Sequence, residues 1–493
     1  MKTYRPYAPT QTYLLPPSPL DWLPGDHLAY FVLDLVAELD LGAIEDALQA
    51  KDGRGERPYS PRMMTALLLY GYAVGIFSSR RIERATHEDV GFRILAGNEH
   101  PHFTTVNDFR ARHRGALAGL FVQVLKECQS AGLVKLGHVA IDGTKMKANA
   151  SKHKAMSYER MNKDEARLRA EVEALLAQAE ATDAAEDEEY GVGQAPTDVP
   201  AELRRREDRL AKIREVRAAL KAEAAKARAN ELREQAEDLR RKAADPATAP
   251  KDQRCFTTLA AKRDASARKL DDDDEDDPPA SSDDDLPVHR PPTDRSGTPK
   301  PKAQRNFTDP ESGIMLRDGA FVQAYNAQIA VDEHAQVIVA AALSNHAADT
   351  GYFEPMLHRV VDNCGAVPER TTADAGYFSA ENIRTAERMG TEPFVSVGKH
   401  RNDGTPEDLP PNYHTPARRA MRALLDSPRG HAAYARRKVA VEPVFGQIRA
   451  CRGFRQMSFR GLLKNRCEWL FVCLTHNLLK LFRASAGLLA ATA

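Results

Sequence analysis

Apolar positions recur along this chain with two periods, and the changes of period mark its organisation. Leu28, Phe31, Val32, Leu35, Val36 and Leu39 are spaced by three and four, which predicts a helix within 27–50. Ser60-Pro61 supplies an N-cap and then a proline at the first helical position. The run that follows, MMTALLLYGYAVGIF, is apolar on nearly every side and predicts a buried helix. Short helices are expected at 78–86 and 89–95. Thr105 with Asp108 has capping-box spacing and predicts one long helix through FRARHRGALAGLFVQVLKECQSAGL. Residues 27–132 therefore predict an all-α domain, preceded by a proline- and aromatic-rich extended arm, 1–26.

The pattern changes at His138, where HVAID predicts a buried strand ending in Asp142. Residues 158–245 are dominated by Ala, Glu, Arg, Lys and Leu, with Ile213, Val216 and Leu220 at helical spacing and a break at Gly191, Gly193, Pro196 and Pro200. That predicts an antiparallel helical hairpin, a coiled-coil insertion. Residues 246–305 are rich in Pro, Asp, Ser and Lys, read as having almost no apolar residues, and predict an acidic, disordered linker. From Asn306 the period becomes two: FTDPESGIMLRD and GAFVQAYNAQIAVDEHAQVIVAAALSN read as successive strands. A helix at 350–365, a strand at 369–374 ending in Asp374, another helix and a strand PFVSVG follow. Residues 399–432 read as a polar loop, Tyr434–Phe454 as one helix, and Glu468–Phe482 as another. The fold class is α/β: a mixed sheet flanked by helices, assembled from 135–157 and 306–484, interrupted by the hairpin and preceded by the helical domain.

Charge sharpens this picture. Lys plus Arg and Asp plus Glu each total 70, yet residues 271–285 hold ten acids and no base, so the remainder is ten charges positive. A basic remainder favours a nucleic-acid partner. Arg80, Arg81, Arg84, Arg110, Arg112 and Arg114 give the helical domain a basic side, read equally well as a DNA contact or as solvated arginines. The six cysteines form no CxxC pair, and no secretory apolar segment opens the chain. Reduced thiols in a cytoplasm are the expectation. Apolar runs such as Trp469–Leu474 are too short to span a bilayer.

The candidate chemistry lies in three acids. From Tyr434 to Arg466 the only acid is Glu442, among Arg436, Arg437, Lys438, Arg449, Arg452, Arg455, Arg460, Lys464 and Arg466. Such a stretch suits a polyanion, and its one acid is either an ion-pair partner or a metal ligand. Asp142 before Gly143 reads as a turn aspartate or as a paired or metal-bound acid, because an unpaired carboxylate at the end of an apolar strand is costly. Asp374 ends a second strand. Ligands collect at the carboxyl ends of strands in α/β sheets. Two strand-end aspartates and a helix glutamate make an oxygen donor set for Mg²⁺, and two such ions suit in-line displacement at phosphorus.

Several segments together resemble the bacterial insertion-sequence DDE transposases, which have a ribonuclease H-like catalytic core. They are IDGTK around Asp142, ADAGY at 373–377, YARRKVAVEPVFGQIR, RNFTDPES, FVQAYNAQIAVD and the helical region ending TTVNDFRARH. The third resembles the family's Tyr-Arg-Glu-Lys signature through Tyr434, Arg437 and Glu442, with Arg449 where lysine is usual and one extra residue between arginine and glutamate. The resemblance implies that Asp142, Asp374 and Glu442 are catalytic and bind two Mg²⁺ ions, with Mn²⁺ a possible substitute. It implies DNA contacts from Tyr434, Arg437 and Arg449, with Arg436, Lys145 and Lys147 as further candidates. The partners it implies are double-stranded DNA, as element ends and target, and a second copy of the chain in the DNA complex, with no membrane. The region 399–432 holds no tryptophan, and the chain's tryptophans are Trp22 and Trp469. A hairpin mechanism using a base-flipping tryptophan there therefore lacks its residue. The alternatives are a non-catalytic coiled-coil DNA-binding protein and a decayed transposase or nuclease.

Overall fold

The computed structural model of the chain describes residues 18, 21–49, 57–190, 201–270, 285–398 and 415–492. Seven helices open the described chain: α1 (Leu28–Glu38), α2 (Gly42–Gln49), α3 (Pro61–Val74), α4 (Ser79–Glu88), α5 (Val90–Leu95), α6 (Phe103–Arg112) and α7 (Arg114–Ser130). The segment 27–50 is two helices, not one. Asp40 turns the chain between them, with its Oδ1 accepting from Gly42 N at 2.8 Å, while Gln123 of α7 clamps its backbone. The long helix expected from Thr105 is also two, broken at His113. The cap of α6 is His102, whose Nδ1 accepts from Thr104 N, and Thr105 lies inside the helix. A capping-box spacing is a local signal, and the imidazole one turn earlier takes the role. Of the 1–26 arm, only residues 18 and 21–26 are among the described residues.

The sheet is mixed. Its central strand β1 (Val139–Lys147) pairs antiparallel with β5 (Ala320–Asp332) along its whole length and parallel with β7 (Arg370–Ala373) only at Val139 and Ala140. β7 pairs parallel with β8 (Glu392–Val395). On the outer edge of β5, β4 (Gly313–Arg317) covers the first stretch and β6 (Val337–Ser344) the second. The order is thus β6-β5-β1-β7-β8, with the first three antiparallel and the last two following β1 in parallel, as in ribonuclease H-like sheets. Asp142 does not end its strand. It is the fourth residue of nine, because Gly143–Lys147 keep pairing with β5 after β7 has turned away.

The insertion leaves through β2 (Ala155–Ser157) and returns through β3 (Gln304–Asn306), which pair and hold its two ends together. It contains α8 (Tyr158–Tyr190) and α9 (Ala201–Ala244), and the glycine- and proline-bearing break between them lies outside the described residues. Residues 246–305 were expected to be disordered, but α10 (Pro250–Arg268) forms there and packs along α9. Ala267 of α10 packs with Ala229 and Leu232 of α9, and Ala260 is buried too, so alanines supply much of an apolar face that a reading for long apolar runs passes over. The acidic run itself, 271–284, lies outside the described residues.

Helices α11 (Phe353–Cys364) and α12 (Ala380–Met389) flank the sheet. In the 399–432 region, 399–414 lie outside the described residues, and the rest is helical: α13 (Pro416–Asp426), then α14 (Pro428–Gly446). Each begins with a hydroxyl N-cap and proline, Thr415-Pro416 and Ser427-Pro428. The last helix, α15 (Leu462–Thr492), packs against β6 on one side and α7 and α3 on the other, so the opening helices and the sheet share one core. Its Trp469 is fully buried and donates from Nε1 to Gln328 O at 3.1 Å.

At the centre of that seam the packing is polar. Tyr72 donates to Glu468 Oε1 at 2.9 Å, Arg110 Nη1 donates to the Tyr72 hydroxyl at 2.9 Å, and Ser458 N donates to Glu468 Oε2 at 2.7 Å. Arg110, expected on the basic side of the helical region, is therefore buried. Arg452 is buried as well, bonded to Val472 O and Thr475 Oγ1.

Candidate active site

Asp142 and Asp374 leave neighbouring strands at one level. Ala140 pairs with Thr372, and each acid lies two residues further on, on the same face of its strand. Asp142 Oδ1 accepts from Gly143 N at 2.8 Å, and Asp374 Oδ1 accepts from Gly376 N at 2.8 Å. Burial pushes the Asp142 carboxyl up to about 6. The Arg437 guanidinium opposes that rise, and the Asp374 carboxylate adds to it. The pair therefore carries more negative charge than its surroundings balance.

The partial balance comes from α14, which lies across β1, β5, β7 and β8. Arg437 Nη1 donates to Asp142 Oδ2 at 2.8 Å, and its guanidinium carbon lies 5.7 Å from the centre of the Tyr434 ring. Burial works against the Arg437 charge, but Asp142, then Tyr434 and Asp374, hold its pKa above the ordinary value. Arg436, the other arginine of the pair, points away and binds Glu333, whose other oxygen meets His138. The structure thus decides which arginine turns inward.

Glu442 lies on the solvent-exposed side of α14 with Ala435 and Lys438. Among the described residues no group of three or more acidic, histidine or cysteine side chains is arranged to hold a metal, so Glu442 is not gathered with the two aspartates. The helix is irregular here. Pro443 has no N–H for Val439 O, and Gln336 Nε2 donates to that carbonyl instead, at 2.9 Å. Past Gly446 the chain widens into a π-helical turn, Gln447–Cys451, so the single helix expected over 434–454 is α14 plus this turn. π-Helical turns of this kind recur at functional sites. It carries Arg449, whose Nη1 donates to Thr144 Oγ1 at 3.1 Å, two residues along β1 from Asp142. Burial, then Arg317, lowers the Arg449 pKa.

The opposite face of β1 carries a network that sequence reading missed. Lys145, a candidate DNA contact, instead donates to Asp349 Oδ1 at 2.9 Å and to Ala347 O at 2.7 Å. The same oxygen accepts from Asn326 Nδ2 at 2.7 Å and Gln328 Nε2 at 3.0 Å. Tyr377 donates to Gln328 Oε1 and is fully buried. Gln328 lies so close over Gly143 that a Cβ there would fall 2.3 Å from its amide nitrogen. Thr350 Oγ1 bonds Gly376 O at 2.8 Å, which ties the Asp349 loop to the turn that presents Asp374. Lys147 is exposed at the end of β1.

The donors at Asp142 and Asp374 are all oxygen, the choice of Mg²⁺, and their excess charge is what a divalent cation would relieve. The two aspartates therefore fit such an ion, and Glu442 fits it only if brought to them.

Two family models match the chain. One, described as a transposase DDE domain, covers residues 294–478; the other, described as a transposase domain, covers residues 18–112. The first contains Asp374 and Glu442 and begins after Asp142. No curated protein matches, and no solved structure does. No helix among the described residues is long and apolar enough to cross a membrane.

Proposed function

From the premise that the chain belongs to the insertion-sequence DDE transposases, we propose that it cuts the ends of its own element and joins them to target DNA. The observation that carries this reading is the placement of Asp142 and Asp374 at one level on neighbouring parallel strands, with Asp142 held by Arg437. Asp142, Asp374 and Glu442 would hold the divalent ions, Mg²⁺ or Mn²⁺. When bound, these ions supply activation of the attacking oxygen and charge stabilisation of the leaving one.

The chain's own residues do the rest. Arg437, held beside Asp142, would be placed to meet a phosphate oxygen of DNA entering the site. Arg449 and Tyr434 hold neighbouring phosphates, Arg449 from its position over Thr144. The Asp349 network fixes the turn that carries Asp374. Glu442, exposed on α14, would complete the donor set only if that helix brought it to the two aspartates. Arg436 and Lys145, engaged with Glu333 and Asp349, contribute to DNA binding only if those pairs open. Hydrolysis at an element end frees a 3′-OH, which then attacks the target phosphodiester. Both steps displace an oxygen at phosphorus, so one site serves both. Two ends must meet, so the DNA complex holds two copies of the chain.

The test is Mg²⁺-dependent cleavage of duplexes carrying the repeats that flank the gene. Glu442→Ala should lose cleavage and keep DNA binding. Unchanged cleavage in that variant would overturn its assignment.

A further inference from the structure

The β4–β5 hairpin is short of apolar cover at its tip. Its turn, Asp318-Gly319, has both residues at positive φ (52° and 76°), which gives the tight reversal of a two-residue hairpin. One pair beyond Arg317 and Ala320, which close the turn, Leu316 and Phe321 face each other across the strands and are 58% and 62% exposed. Single exposed apolar side chains are ordinary. Here two large ones stand together, and their surroundings say what would cover them.

Phe321 forms part of the wall of a cleft of about 660 Å³ that also carries Lys147, Lys152, His153, Lys154 and Arg460. No acid lines that cleft. A protein partner would need acids to match it along its whole length, whereas a nucleic-acid backbone supplies them at every residue. The sheet also sets the direction. Along β5, Phe321, Gln323, Tyr325, Ala327 and Ile329 alternate onto one face, and Ile329 is the partner of Asp142. Phe321 therefore shares the face of the candidate active site, eight residues away. That is about 26 Å at ~3.3 Å per residue.

We propose that this hairpin is a DNA wedge: Phe321 and Leu316 enter a base step of the duplex while Lys147, Lys152, Lys154 and Arg460 hold phosphates beside it. Apolar side chains inserted between bases unstack and kink the duplex, which brings more backbone within reach of flanking cations. At ~3.4 Å per base pair the wedge meets the DNA about eight base pairs from the phosphate held at Asp142 and Asp374. The proposal rests on the reading that duplex DNA is the substrate of that site.

The experiment uses the full chain and a fluorescein-labelled duplex of arbitrary sequence, followed by anisotropy over a range of salt, together with the same duplex carrying one mismatch. Phe321→Ala should weaken binding on the order of ten-fold, as loss of a base-stacking aromatic does, with thermal stability unchanged because the side chain is exposed. The mismatched duplex, cheaper to unstack, should bind the native chain more tightly and lose that advantage in Phe321→Ala. Phe321→Trp should keep affinity and show indole quenching on DNA. The Lys152→Ala, Lys154→Ala double variant should reduce the slope of log affinity against log salt by about 1.8. If Phe321→Ala binds like the native chain while the lysine variant loses slope, the wedge is wrong and the DNA reading stands. If the native chain binds no duplex, both fail. If Phe321→Ala changes the sedimenting mass and leaves DNA affinity alone, a second copy covers the hairpin and the proposal is overturned.

Discussion

Two of the molecule's arginine–carboxylate sites, one at the seam and one at the sheet, differ in how far their charges are satisfied. At the seam between the opening helices and α15, Arg110 reaches Glu468 through the Tyr72 hydroxyl, and the second Glu468 oxygen takes Ser458 N. Every oxygen has a donor, and the residues are buried. At the sheet, Arg437 meets Asp142 directly, but Asp374 stands beside them, so one cation faces two acids. Burial and Asp374 push the Asp142 carboxyl up to about 6 in spite of that arginine. Orphaned donors do not separate the two places, since Nε lacks a partner in both Arg110 and Arg437. The balance of charge does. A closed network fixes a structure, whereas surplus negative charge at a strand-end crevice is a place for a cation.

The largest effect that would break this contrast is at the sheet. Asp142→Asn or Asp374→Asn should reduce Mg²⁺-dependent cleavage by about 10³-fold or more, the equivalent of several kcal/mol of transition-state charge stabilisation. Gel assays of end cleavage measure it, and binding to the same duplex should survive. At the seam the loss should fall on stability instead. Glu468→Ala leaves Arg110 uncompensated and should cost about 3 kcal/mol in urea unfolding. A variant that unfolds like the native chain would show that the seam is not the closed network described.

Smaller effects sharpen the comparison. Asp349→Asn keeps the shape of the supporting network but removes its charge, and should lower cleavage roughly 10- to 100-fold without changing DNA affinity. An unchanged rate would leave Asp349 a folding residue only. The smallest effect is on proton binding. The Asp142 carboxyl is raised from 3.8 to about 6 in the fold, so the folded state holds that proton more tightly than the unfolded state does. The burden of the ionised group is therefore absent below about pH 4, grows between about pH 4 and 6, and is complete above. Stability measured in chelator should fall across that window by on the order of 2 kcal/mol. Asp142→Asn should flatten the fall. Arg437→Met, which removes the opposing charge, should raise the Asp142 pKa further, read by carboxyl NMR.

The three acids were legible in the sequence because each has a marked position: Asp142 ends an apolar run, Asp374 ends the short strand stretch ERTTAD, and Glu442 is alone among cations. What they do next was not. Asp142 read as a strand end because Lys145 and Lys147 interrupt the apolar run, whereas the antiparallel partner β5 carries the strand on. The basic field around Glu442 read as one surface, yet Arg452 is in the core and Arg436 pairs with Glu333, since burial depends on partners far along the chain. Asp349 sits in a loop with no period to mark it, and its role shows only when β1, β5 and the Asp374 turn meet. The strands themselves were legible from their alternation, but their order in the sheet was not, because it is set by pairings far apart along the chain. The direct packing of the opening helices on α15 did not, because both faces of α3 read equally apolar.

On the proposed function, Asp142, Asp374 and Glu442 become one metal site when DNA is bound. Anomalous diffraction from Mn²⁺ in crystals of the full chain with duplex DNA tests it most directly. Manganese peaks are expected within about 2.2 Å of oxygens from all three residues, with Arg437 moved from Asp142 to a phosphate. Peaks held by Asp142 and Asp374 with Glu442 still turned to solvent, or by Asp349 in its place, would contradict it.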